Sequence, residues 1–444
     1  MNMEKFVIKG GRKLKGTVGV FGAKNAALKA LVAACLTDQK VIIHNVPLIT
    51  DLIVMADILK ELGARVSFND HTMTIQMKKF AHSSIPLDKA ALVRASSMFL
   101  APLLARTGEA IIPNPGGCRL GARPIDRIVN GIRKMNVKIT YHSGDGYFHA
   151  KTTGLKAVNY RFLKSTHTGT ETMILAAVLA KGTTVLNNAA EEPEIDDVIS
   201  LLNAMGARVM RTAARQITII GVKKLNGAEF RISPDRIEVV TFAIAAIITG
   251  GDILIKNAHL AKIEPFLQKL KKTGAGYEIK DNGVRFYANG TLKAVDITTG
   301  VHPGFLTDWQ ALWGVLMTQA KGQSTIHETV FESKLGYVED LGRMGAKVEL
   351  FNPNVSNPEK VYNFNLSDDK PEYYHAVKIT GPTPLHNAVM ETFDIRAGAA
   401  VVLAALIAQD TSTIFGIEKL DRGYEDFEKR LQKLGADIQR TDEE

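Results

Sequence analysis

Cysteine is scarce in this chain: Cys35 and Cys118 are the two among 444 residues. They lie far apart, which argues against a disulfide framework, and no metal-ligand spacing is read from the sequence, so neither a metal nor a cofactor is expected. Aromatic residues make up 7%, with two tryptophans, too few for an evident base-stacking platform. Long apolar runs are also missing. The longest, Val239–Thr249 and Ala397–Ala408, are too short to cross a bilayer. Met1–Lys15 alternates charged and apolar side chains and lacks the apolar block of a secretion signal, so the expectation is a cytoplasmic protein without membrane contact. Neither sign of charge forms a block: 55 Lys and Arg against 46 Asp and Glu leave +9, with the basic residues scattered. That balance favours anionic partners without marking a nucleic-acid face.

What is present is a recurring phrase. Leu62-Gly63-Ala64-Arg65-Val66 returns as Met205-Gly206-Ala207-Arg208-Val209, as Met344-Gly345-Ala346-Lys347-Val348 and as Leu434-Gly435-Ala436-Asp437-Ile438. Thr273-Gly274-Ala275 and Met135-Asn136-Val137 are weaker copies. The spacing is about seventy residues, with the last interval longer by roughly twenty. An amphipathic helix is predicted ahead of each copy, as over Asp51–Leu62, Ile195–Met205 and Tyr424–Leu434. The glycine suits a left-handed helix end, and a strand follows. A second, more apolar helix is predicted upstream in each unit, as over Asn25–Leu36, Thr170–Leu179, Arg236–Thr249, Asp308–Gln319 and Asp394–Ala408.

The fold class is therefore α/β, built from six helix-strand-helix-strand units, each with a connecting hairpin. Six units divide into three plus three, with a break near Ile232-Ser233-Pro234-Asp235-Arg236, and two such lobes predict a ligand cleft between them. Residues 351–384, rich in Asn, Pro, Asp and Tyr, are predicted to be an inserted loop or hairpin with no chemistry assigned.

The loop Pro115-Gly116-Gly117-Cys118-Arg119-Leu120-Gly121-Ala122-Arg123-Pro124 places a thiol among glycines and arginines. Glycines let backbone approach a ligand closely, and neighbouring guanidinium groups favour thiolate and hold anions. A surface turn with an incidental cysteine is the other reading of that loop alone.

Taken with the repeat, several separated motifs resemble the enolpyruvyl transferases, and among them the branch acting on UDP-N-acetylglucosamine. They are Gly22-Ala23-Lys24-Asn25-Ala26-Ala27, the Cys118 loop, Thr307-Asp308 with Gln310-Ala311, and Thr329-Val330-Phe331-Glu332. Asp394-Ile395-Arg396-Ala397 and Asp421-Arg422-Gly423-Tyr424-Glu425 complete the ordered set, which covers essentially the whole chain. The resemblance implies a two-lobed inside-out α/β barrel. Residues 24–233 would form the first lobe; residues 1–23 with 234–444 would form the second.

It also implies transfer of the enolpyruvyl group of phosphoenolpyruvate to the 3′-hydroxyl of UDP-N-acetylglucosamine, with release of phosphate. Cys118 then matches the general acid, Asp308 a candidate base, and Asn25 a residue that positions substrate. For Asp308 a helix N-cap role is the competing reading. Lys24, Arg123 and Arg422 match the cations around phosphoenolpyruvate, and Arg94 a contact near the substrate phosphates. Arg123, Pro124, Ile125, Asp126 and Arg127 match the stretch lining the uracil. Lys164, Ser165, Thr166 and His167, with Thr168, match the pyrophosphate loop at a helix N-terminus, and Val330 a sugar contact. Asp394 and Arg396 are open to a purely structural ion-pair reading.

Three departures from the family pattern stand out. His167 is a bulky newcomer in the pyrophosphate loop, either a further donor or a sign of a different sugar or nucleotide. Lys334 stands where arginine is usual and lacks its bidentate geometry. Arg119 follows the cysteine where small residues are common. A shikimate-phosphate transferase of the same fold would not need Cys118 or the Arg-Pro-Ile-Asp stretch. An RNA-binding protein of similar repeats would show clustered basic residues with exposed aromatics.

Overall fold

The structure is a computed structural model that describes residues 4–116 and 124–442. The chain divides into two compact units, one from residues 4–21 and 234–442, the other from 22–116 and 124–233. Each has its own apolar core. In the first, helices Arg236–Ile248, Gln310–Thr318 and Ile395–Ile407 pack on one another and are buried on nearly every side. In the second, Lys24–Ala34 packs on Pro193–Ala204, while His167–Ala177 packs on Leu100–Thr107 and Asp126–Lys134. Helices apolar all round belong in a core. The strands around them alternate instead, as in Thr183–Asn187, where Thr184 and Leu186 are buried between more exposed neighbours.

Five four-stranded sheets share one strand order among the described residues. In one, Lys40–His44 pairs parallel with Ala228–Arg231 and antiparallel with Thr72–Gln76, which closes a hairpin with Arg65–Asn69. A sixth sheet, Glu109–Pro113 with Tyr147–Lys151 and Lys138–His142, has three strands and a single parallel bridge from Ser84 to Ile111. The N-terminal strands do not pair with each other. Glu4–Lys9 lies between Thr411–Phe415 and Asp437–Asp442, and Lys15–Gly19 runs parallel to Asp252–Lys256.

The recurring phrase has one local cause. Gly63, Gly206, Gly274, Gly345 and Gly435 have φ between 85° and 101°, and Asn136 has 67°, so each reverses the chain from helix into strand. Gly22 is needed for another reason: a Cβ there would lie 1.9 Å from the Asn45 carbonyl oxygen. Beside it, the Ala23 N–H donates to Ser233 O at 2.8 Å, and Asn45 Nδ2 donates to Ile232 O at 2.9 Å.

Local expectations are corrected at three places. The last amphipathic helix begins at Phe427, not Tyr424, because Asp426 takes a left-handed φ of 46°. Asp308 is not an N-cap; it sits inside a 3-10 turn, Thr307–Trp309, that precedes Gln310–Thr318. Asp394 is an N-cap instead of a partner for Arg396, accepting from the Arg396 and Ala397 N–H groups. Within 351–384, a short helix Pro358–Val361 and a 3-10 turn Leu366–Asp368 separate the antiparallel strands Lys347–Phe351 and Ala376–Gly381. Tyr362, Phe364 and His375 stack within that excursion, with ring centroids 4.9–5.1 Å apart.

Candidate active site

Cys118, Arg119 and Arg123 lie outside the described residues. The other thiol is plainly structural: Cys35 is fully buried, its Sγ 3.7 Å from Leu31 O, and burial pushes its pKa up.

In the unit built from 22–233, Lys24 opens helix Lys24–Ala34, with Asn25 half-buried beside it. Lys24 Nζ meets Asp51 Oδ2 at 2.7 Å, both side chains buried. Arg94 and Arg127 join segments that are distant in sequence. Arg94 Nη2 donates to Pro124 O at 3.0 Å, and Arg127 Nη1 donates to Ser165 O at 3.1 Å. Asp126 starts helix Asp126–Lys134 behind Ile125, and its Oδ1 is buried with no hydrogen-bond partner among the described residues. An ionised or neutral carboxyl oxygen left so is an acceptor waiting for a donor.

Lys164 is half-buried and Ser165 buried, ahead of helix His167–Ala177. Thr166 caps that helix, accepting from the Gly169 N–H at 3.2 Å. His167, at the first helical position, turns along the helix: its Nε2 is 3.0 Å from Glu171 Oε1, while Lys29 Nζ is 3.5 Å from Glu171 Oε2. Burial disfavours the imidazolium, but Glu171 outweighs burial and Lys29, and the His167 pKa is raised. His167 thus faces Glu171 on its own helix.

In the other unit, Asp308 has three cations around it. Lys334 Nζ is 3.0 Å from Asp308 Oδ1, and Arg396 and Arg236 add their fields. Burial alone would raise the carboxyl pKa; Lys334, Arg396 and Arg236 overcome it and hold Asp308 well below the usual carboxylate range. Arg396 is buried over the Tyr424 ring, 5.2 Å from its centroid. Burial works against that guanidinium, yet Tyr424, Asp235 and Asp308 keep its pKa raised. Gly423 passes close by, a Cβ there lying 3.6 Å from Arg396 Nη1, and the half-buried Arg422 precedes it. Asp421 is turned to Arg440, its two oxygens 2.6 and 3.0 Å from the guanidinium.

Glu328 is the residue that sequence reasoning passed over. Its buried carboxylate accepts from Thr307 Oγ1 at 2.8 Å, from the Val330 N–H at 2.7 Å and from the Phe331 N–H at 3.1 Å. Burial raises its pKa against the pull of Lys334 and these donors. It ties the turn carrying Asp308 to the segment carrying Val330, whose N–H is therefore already donated. Asp51, Glu171, Arg236 and Arg396 share one signal: a charge near the start of a helix that is otherwise largely apolar.

The model of the EPSP synthase (3-phosphoshikimate 1-carboxyvinyltransferase) family matches residues 8–431. The UDP-N-acetylglucosamine 1-carboxyvinyltransferase of Koribacter versatilis is 40% identical, over 99% of this chain and 97% of its own length. That of Magnetococcus marinus is 40% identical over 99% of both chains. Among solved structures, the enolpyruvyl transferase NikO from Streptomyces tendae superposes with a TM-score of 0.87 at 23% identity, covering 100% of each chain. EPSP synthase from Acinetobacter baumannii gives 0.72 at 18% identity, covering 99% and 100%. These likenesses place the α/β architecture with the enolpyruvyl transferases. By its full-length family match and these 40% identical relatives, the chain belongs to the EPSP synthase family and, within it, to the UDP-N-acetylglucosamine 1-carboxyvinyltransferases.

Proposed function

We propose that this protein transfers the enolpyruvyl group of phosphoenolpyruvate to the 3′-hydroxyl of UDP-N-acetylglucosamine, releasing phosphate and opening peptidoglycan precursor synthesis. The observation that carries this reading is the 40% identity to relatives of that name over nearly their whole length. In the addition step the hydroxyl oxygen bonds to the central carbon of phosphoenolpyruvate while Cys118 gives its proton to the methylene. In the elimination step the thiolate takes a proton back from the new methyl group as the bond to phosphate breaks. The enol ether and phosphate are the products, and the thiol is restored.

Asp308 accepts the proton of the attacking hydroxyl, and that proton leaves with the phosphate. A carboxylate held by three cations is a weak base at rest. Formation of the carbon–oxygen bond makes the hydroxyl proton strongly acidic, so a weak base suffices at that moment. Lys24, Arg123 and Arg422 bind the carboxylate and phosphate of phosphoenolpyruvate, with Asn25 positioning substrate beside them. Arg94, Pro124, Ile125, Asp126, Arg127, Lys164, Ser165, Thr166 and Val330 take the UDP-sugar, and His167 supports the pyrophosphate loop through Glu171. The buried Asp126 Oδ1, without a partner among the described residues, supports the nucleotide assignment, since a uracil N–H would complete it.

The six sheets are read as six related units in two lobes of the inside-out barrel type, residues 24–233 and residues 1–23 with 234–444. Cytoplasmic residence fits a substrate set of soluble anions.

Phosphate release measured on Cys118→Ala tests the mechanism. A general acid contributes on the order of a hundredfold or more, and the variant is expected to lose at least that. An unchanged rate would remove Cys118 from the acid role.

A further inference from the structure

The hairpin Lys138–His142 and Tyr147–Lys151 carries a cluster that the transfer reaction does not use and that the sequence reading, which expects no metal site, passes over. Its register sets Thr140 opposite His149 and His142 opposite Tyr147. Alternation then puts residues 138, 140 and 142 on one face with 147, 149 and 151, and turns Ile139 and Ala150 to the buried side. His142 and His149 are diagonal neighbours on the outer face, their rings stacked at 4.2 Å between centroids and 18° between planes. The turn, with Gly146 at φ 79°, brings Asp145 back over the same face. Asp145 Oδ1 accepts from the Tyr147 N–H at 2.9 Å, and Oδ2 is 2.7 Å from His149 Nε2. Thr140 Oγ1 holds the other ring, 3.1 Å from His142 Nε2. One nitrogen from each imidazole and one carboxylate oxygen lie within 4.8 Å of one another.

We propose that His142, Asp145 and His149 form a zinc-class divalent-cation site on this exposed hairpin. Zinc bonds to imidazole nitrogen at about 2.0–2.1 Å, which sets ligand atoms roughly 3.4 Å apart across a tetrahedral centre. Because the rings are stacked, their in-plane lone pairs run side by side, and one imidazole must turn about its χ2 for the three donors to converge on one cation. The cation takes the place of the hydrogen that joins His149 to Asp145; a neutral His149 keeps its one ring proton by carrying it on Nδ1, and an imidazolium releases one proton to water. Two imidazoles and one carboxylate are a borderline donor set that selects zinc over magnesium or calcium, which prefer oxygen alone. Eight residues span the site from His142 to His149, already ordered by the hairpin, so little chain entropy opposes closure. Thr140 and the Tyr147 N–H orient the ligands from behind. Three protein ligands leave a fourth position to water.

Isothermal titration of the full chain with zinc chloride tests this, with magnesium chloride as the comparison. The wild type is expected to bind one zinc at this site in the micromolar range and no magnesium, with its unfolding midpoint rising in zinc. Loss of a second-sphere contact already weakens metal sites about tenfold, so His149→Ala and Asp145→Asn should each lose at least that much. Both variants should keep their transferase rate, and their midpoints should no longer respond to zinc. Zinc uptake by both variants as tight as in the wild type, or no uptake by the wild type, would overturn the proposal.

Discussion

Charge at single residues decides the chemistry of this chain, and its sign depends on neighbours distant in sequence. Asp308 reads alone as a helix cap, because an aspartate before an apolar run usually is one. Lys334, 26 residues on, claims its carboxylate instead, and Arg396 and Arg236 join it from two further helices. A motif shows the residue type but not the field around it. His167 shows the converse: what looked like a foreign group in a binding loop is turned to Glu171, one helical turn on. Its raised pKa fixes a sign. The imidazolium is favoured in the folded state, so its contribution is complete below the ordinary value of 6.5 and is lost as pH rises through the higher folded value. His167→Val should therefore lower the urea midpoint relative to wild type more at about pH 6 than at about pH 8.5. A difference that does not change with pH would contradict the assignment.

Elements were largely legible where their cause is local. The left-handed glycine or asparagine after each amphipathic helix and the burial of the apolar helices follow from short-range pattern. The errors sit at ends, where one residue's backbone overrides periodicity, as Asp426 does ahead of Phe427–Lys433. Asp394 and Arg396, opposite charges two residues apart, leave an ion-pair reading open. The Asp394 oxygens instead satisfy the N–H groups of Arg396 and Ala397. Gly22 illustrates a constraint invisible to periodicity: its need for no side chain comes from the Asn45 carbonyl, 23 residues away. Gly22→Ala forces that backbone apart, and overpacking of this kind typically destabilises by about 1–3 kcal/mol. Chemical unfolding should show that loss; a stability equal to wild type would mean the two segments are free to separate.

At the scale of the whole molecule, non-local pairing was the hardest part to read. Nothing in the composition of Glu4–Lys9 says that it lies between Thr411–Phe415 and Asp437–Asp442. The family resemblance implies only that residues 1–23 join 234–444, because strand partners four hundred residues apart leave no periodic trace. The candidate site was legible as residue types and order; the three-cation setting of Asp308, the Glu328 tie and the orphaned Asp126 oxygen required coordinates. The central claim is a choice of acceptor, since the matching family also contains enzymes named for a shikimate phosphate. Phosphate release from phosphoenolpyruvate, measured with UDP-N-acetylglucosamine and separately with shikimate 3-phosphate, tests it most directly. Release that depends on UDP-N-acetylglucosamine and is absent with shikimate 3-phosphate is the predicted result; release with shikimate 3-phosphate alone, or with neither, would contradict it.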